Sequence, residues 1–148
     1  MARSKVSKAD FKKVLEIGRP PNIKALFPNS RALIVSGKAI DRAMLTKGRA
    51  IAMAANGRNQ FVIRGALQAA QRANAPVMIE IAKSEGGTKA YCAVNYWNMA
   101  MLVDTICNEL GITIPVAIHA DRGGIRHETE RDAAKGEIAT FFEAGMPS

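Results

Sequence analysis

Several things are scarce in these 148 residues. There are two cysteines, Cys92 and Cys107, so no disulfide framework and no Cys-x-x-Cys metal or redox pair is available. Both are expected to be small apolar residues of a reduced, cytoplasmic chain. Aromatics make up 5%, with a single tryptophan. No apolar run approaches the roughly 20 residues of a membrane-spanning helix. The basic start, Met1-Ala2-Arg3-Ser4-Lys5, is not followed by the apolar core of a signal peptide. The length is also short of the roughly 250 residues of a complete eight-stranded βα barrel. What remains is ordinary for one globular domain: 48% hydrophobic and 23% charged residues.

Charge is present but uneven. Residues 1–49 hold 12 Lys+Arg against 3 Asp+Glu, whereas residues 50–148 hold 9 against 10. A basic N-terminal segment therefore joins a nearly neutral body. Such a segment attracts anions, yet it carries only Phe11 and Phe27 as aromatics and no interleaving suited to base stacking. A solvated basic face is the expectation, and nucleic acid is not the expected partner.

The patterning alternates between two periods. Ser7 precedes Phe11, Val14, Leu15 and Ile17 at helical spacing, and Gly18-Arg19-Pro20-Pro21 ends that helix. Arg31 to Val35 reads as a short strand, and Ser36 or Gly37 opens a helix stopped near Gly48. From residue 50 the order becomes regular. Strands are expected near 50–55, 77–82 and 114–120. Helices are expected from Phe61 to Ala73, Tyr96 to Leu110 and Glu130 to Ala144. Phe61, Ile63, Ala66, Leu67 and Ala70 are the burial candidates of the first of these. Pro76 and Pro115 sit at strand starts, where a missing N–H is tolerated. Continuous apolar strands between amphipathic helices predict a parallel sheet covered by helices.

In such folds, ligands gather beyond the carboxyl ends of the strands. Asn56 and Asn59 fall there after the first strand, Lys83, Ser84 and Glu85 after the second, and His119, Asp121 and Arg122 after the third. Strand alternation places His119 and Asp121 on one face, with Arg122 pointing elsewhere. A strand-end His-x-Asp orients a metal ligand or moves a proton. Glu80, inside an apolar strand, calls for a polar partner in a barrel interior. Glu85-Gly86-Gly87 lacks the spacing of a phosphate loop. His127 reads as solvated, and Tyr96 and Trp97 as packing residues.

Three stretches resemble the class II, metal-dependent fructose-bisphosphate aldolases: Ala54-Ala55-Asn56-Gly57-Arg58-Asn59, the run Ala69 to Glu80, and Ile114-Pro115-Val116-Ala117-Ile118-His119-Ala120-Asp121. The last is similar to the family's I-P-V-A-L-H-x-D-H. The resemblance spans about residues 50–146, with residues 1–49 a basic helical extension outside it. It implies an α/β fold, the first three βα units of a partial TIM barrel. It implies a lyase of glycolysis, cleaving a ketose bisphosphate to dihydroxyacetone phosphate and an aldehyde phosphate with a divalent metal, usually zinc. Asp121 matches the proton-exchanging Asp, His119 the first His of the motif, and Asn56 a substrate-side Asn. Ser84 lies near a substrate-side Ser, whose own place is taken by Ala82.

The family's metal-binding His follows that Asp, and here the position is Arg122, which has no lone pair for a metal. His119 and Asp121 alone make two donors, short of three for a catalytic zinc. The chain by itself is therefore expected to be inactive and without zinc. A sugar phosphate is the expected substrate class by resemblance, and a second copy or a complementary barrel fragment the expected partner. The alternative is a non-catalytic α/β interaction module. Three strands leave two open edges, with Ile51, Met53, Val77, Ile79, Val116 and Ile118 expected on an uncovered inner face.

Overall fold

The computed structural model describes residues 7–87 and 91–121. Arg122, His127 and the helix expected at 130–144 lie outside the described residues. The elements run α1 (Lys8–Gly18), α2 (Pro21–Leu26), α3 (Gly37–Lys47), β1 (Met53–Asn56), α4 (Gln60–Ala73), β2 (Val77–Ala82), α5 (Lys83–Gly86), α6 (Met99–Leu110) and β3 (Val116–Asp121). The sheet order is β1-β2-β3 and both pairings are parallel. This is the mixed α/β, three-strand parallel arrangement expected of a partial βα barrel.

Local chemistry sets the boundaries. The Ser7 side chain accepts from the Asp10 N–H at the start of α1, and Ser36 accepts from the Lys38 N–H at the start of α3. The Asn59 side chain accepts from the N–H groups of Phe61 and Val62, both at 3.0 Å, and opens α4. Asn74 closes it in the left-handed region at φ 51°. The helix expected from Tyr96 starts instead at Met99. The Asn95 side chain accepts from the N–H groups of Trp97 (3.0 Å) and Asn98 (3.1 Å), and the chain passes through a turn over 96–98 before the helix begins. The short helices α2 and α5 have no counterpart in the periodicity.

Alternation along the strands divides the core in two. Val77, Ile79, Ile81, Val116 and Ile118 are buried with Ile63 and Leu67 of α4 and Met99, Val103 and Ile106 of α6. On the other face, Met78 and Ala117 pack with Leu33, Val35 and Ile40, joined by Phe11, Leu15 and Met44. The expected uncovered apolar face is thereby corrected. The large branched residues point to the helices, where they fill the interlayer space, and small Ala54 and Ala117 take the opposite face. Of the residues expected to be exposed, only Ile51 (94%) and Met53 (54%) are so. Phe61 is also corrected. It sits on the solvent side of α4 and is 75% exposed, while Ile63, Leu67 and Ala70 bury.

The strand expected at 31–35 reduces to one bridge, Ile34 to Val116. The Val35 N–H donates to Val116 O (2.9 Å) and the Val116 N–H to Leu33 O (3.0 Å). Ser36 then caps α3, so the pairing cannot lengthen. This short contact still covers the start of the β3 edge that faces away from β2. It is pinned on α6: Ser30 Oγ donates to Asp104 Oδ1 (2.5 Å), Asn108 Nδ2 donates to Ser30 Oγ (2.7 Å), and the Arg31 N–H donates to Asn108 Oδ1 (2.9 Å). Burial raises the Asp104 carboxyl above its ordinary pKa. Cys107 is buried in the same helix and its thiol is pushed up to about 12 by burial, as an inert packing cysteine should be.

Candidate functional site

The parallel register lines up one polar row at the carboxyl ends of the strands. Asn56 is the partner of Glu80, and Glu80 is the partner of His119. Asp121 lies two residues beyond His119 and opposite Ala82. Partners in a parallel ladder point the same way, so all four side chains leave the sheet on the face opposite Val77, Ile79 and Ile118. The ligating atoms of Glu80, His119 and Asp121 lie within 4.8 Å of one another. His119 is exposed, and Glu80 and Asp121 are half-buried. The expected pairing of His119 with Asp121 on one face is observed. Glu80 has His119 as its polar neighbour on the adjacent strand.

A second polar centre lies beside this row. Glu85 is 3% exposed. Its Oε2 accepts from Asn56 Nδ2 (2.9 Å) and from the Ala82 N–H (3.2 Å). Its Oε1 accepts from Arg58 Nε (2.7 Å), from Arg58 Nη2, and from the Tyr91 hydroxyl (3.4 Å). Hydrogen bonding from Asn56, with that of Arg58 and the Ala82 amide, outweighs burial and lowers the Glu85 carboxyl to about 2. The carboxylate therefore ties the turn after β1 to the turn after β2. This arrangement is not a phosphate cradle, because a buried anion fills it. Ser84 is exposed on α5 and has no part in the row. Asn59 serves α4 as its cap. Asn56 is divided between the centres: its Nδ2 holds Glu85, and its Oδ1 is buried with no hydrogen-bond partner among the described residues.

The sequence reading missed Arg58 and Glu85 as a pair. The available signal was an acid and a base at the carboxyl ends of two adjacent strands. Gly57, directly before Arg58, has a structural reason. A Cβ there would meet Ile79 Cγ2 at 2.8 Å and Ile63 Cγ1 at 3.2 Å.

A parallel βα sheet with polar residues gathered at the strand carboxyl ends is consistent with part of a βα barrel. The family profile described as "Fructose-bisphosphate aldolase class-II" matches residues 37–146, well over half of the chain. The chain belongs to the class II fructose-bisphosphate aldolase family. The match reaches back through α3, which the resemblance around residues 50–146 had left outside. No curated protein matches the chain.

The family is metal-dependent, and this chain departs from it in its donor chemistry. The position that directly follows Asp121 is Arg122. A guanidinium stays protonated and offers no lone pair, so the family's ligand at this place does not fit. The row on β2 and β3 is a different donor set, two carboxylates and one imidazole.

Among the described residues no helix is long and apolar enough to cross a membrane.

Proposed function

We propose that this chain supplies the first three βα units of a retro-aldol site for a sugar phosphate, and that these 148 residues alone do not turn over. The observation that carries the reading is the polar row at the strand carboxyl ends, in a chain of the class II aldolase family. In that reaction the Asp121 carboxylate accepts the proton of the hydroxyl on the departing carbon. The adjacent carbon–carbon bond breaks, its electron pair is left on the ketose-derived fragment as an enediolate, and a proton then returns to that carbon. His119, two residues away on the same face, orients the carboxylate. A divalent metal, when bound in such enzymes, polarises the ketone. Arg122 removes the family's ligand at that place, and its guanidinium suits a phosphate oxygen of the substrate. We place the protein in the cytoplasm, in keeping with its two free thiols.

The expected result in a coupled assay with fructose 1,6-bisphosphate is no cleavage above the buffer rate. Measurable turnover by the 148-residue chain would refute this part of the reading.

A second reading, a self-associating barrel fragment, draws on the other side of the sheet. In β1, Met53 and Ala54 are exposed, and Ile51 just before it is 94% exposed. Among the described residues no strand pairs with the outer edge of β1, and such an edge invites a second strand. Sedimentation velocity should show a species larger than a monomer at tens of micromolar, and Met53→Lys should return it to a monomer. A wild-type chain that stays monomeric throughout that range would count against it.

A further inference from the structure

We propose that Glu80, His119 and Asp121 form a divalent-cation site with a donor set of its own, so that this chain binds a cation through β2 and β3 without residue 122. The inference goes beyond the proposed retro-aldol role and does not need it. The two roles compete for Asp121, whose carboxylate cannot at once ligate the cation and accept the substrate's proton, so cation binding is measured without substrate.

The geometry carries the argument. Glu80 and His119 are register partners, and Asp121 is the next residue on the same face. Two paired strands fix the three backbone positions without help from a loop. Their ligating atoms lie within 4.8 Å of one another. Atoms bonded to one ion at about 2.1 Å stand at most about 4.2 Å apart, so a small rotamer adjustment closes the set around a cation. The half-buried carboxylates and the exposed imidazole leave an approach from solvent.

The donor types suit a borderline cation. Two carboxylate oxygens and one imidazole nitrogen are a mixed set accepted by zinc, cobalt, manganese and iron, with open positions left for water. The two carboxylates together outweigh whatever positive charge one imidazole carries, and a dication offsets the remainder. A separate observation lies on the neighbouring strand. Asn56 Oδ1, at the same register as Glu80, is a buried acceptor without a partner among the described residues. A water on a cation held at Glu80 is a donor of the kind that oxygen lacks.

The test uses the whole chain, purified and stripped with a chelator, and titrated with Co2+ while its visible absorption is followed. The expected result is one Co2+ per chain, displaced by Zn2+. Glu80→Gln, His119→Gln and Asp121→Asn should each weaken binding by at least about tenfold while the far-ultraviolet circular dichroism is unchanged. If Glu80→Gln fails to fold, Asp121→Asn answers the same question. Absence of saturable Co2+ binding overturns the proposal. So does binding that Glu80→Gln and Asp121→Asn leave intact, or binding that appears only in Arg122→His. Cleavage of fructose 1,6-bisphosphate, measured separately, bears on the retro-aldol reading and leaves this result standing or falling by itself.

Discussion

Replacing Glu85 by alanine should lower the stability of the chain by about 3 kcal/mol at pH 7. The carboxylate is 3% exposed and accepts from Asn56, from two nitrogens of Arg58, from the Ala82 N–H and from the Tyr91 hydroxyl. Hydrogen bonds to a charged group contribute about 1.5–3 kcal/mol each, and removing one partner of a buried pair costs about 3–5 kcal/mol. The Arg58 side chain is 53% exposed, so water takes over its charge once Glu85 is gone, which keeps the loss at the lower end. The pH dependence has a definite sign. The folded-state pKa is depressed from the ordinary 4.5 to about 2. The stabilisation is therefore complete above about pH 4.5 and is lost as pH falls toward 2. Urea unfolding of wild type and Glu85→Gln should differ most near neutrality and converge near pH 2. Parallel stability curves for the two proteins between pH 5 and pH 2 would show that Glu85 holds nothing.

The parallel sheet was legible because each of its causes is local. Val77 to Ala82 and Val116 to Ile118 are short apolar runs, begun near Pro76 and Pro115 and separated by helices that end at Asn74 and Gly111. His119 and Asp121 were legible as a pair because a strand repeats every two residues. Glu80 was legible as a residue in want of a partner, but its partner was not, since register between strands is set by packing of the whole layer. That missing fact changed the donor count from two to three. The Arg58–Glu85 pair was illegible for the same reason: its members lie 27 residues apart. Phe61 was misplaced because helical spacing admits more than one apolar stripe, and only the packing against β2 and α6 chooses between them. The 31–35 segment keeps the alternation of a strand, its apolar residues buried by two different layers, but Ser36 opens α3 and leaves it a single bridge. Ile34 joins the helix-side core, and Leu33 and Val35 join the opposite one.

Arg19→Met should have a comparable effect, about 3 kcal/mol, and a further consequence for assembly. Arg19 is 7% exposed. Its Nη1 donates to Ser30 O (3.2 Å), and its Nη2 donates to Ile23 O (3.2 Å) and to Phe27 O (2.6 Å). Ile23 and Phe27 stand in and at the end of α2; their carbonyls also accept from the N–H groups of Phe27 (3.0 Å) and Ser30 (3.1 Å), and the guanidinium adds a second donor where the helix end carries partial negative charge. One guanidinium thus ends α2 and fixes the turn that leads to Ser30. Methionine keeps the apolar stem and withdraws the hydrogen bonds to all three carbonyls, at about 1 kcal/mol for each bond lost. Lysine keeps the charge but not the planar fork, and should recover about half of the loss. The turn leads directly into Leu33–Val35, whose hydrogen bonds to Val116 cover the start of the β3 edge. Loosening Arg19 therefore uncovers strand edge as well as destabilising the fold, and uncovered edge promotes pairing between chains. Urea unfolding should place Arg19→Lys between wild type and Arg19→Met. Sedimentation velocity at matched concentration should show a larger species for Arg19→Met than for wild type. If Arg19→Met unfolds with the wild-type midpoint and sediments identically, the buried guanidinium is not what holds this segment against the sheet.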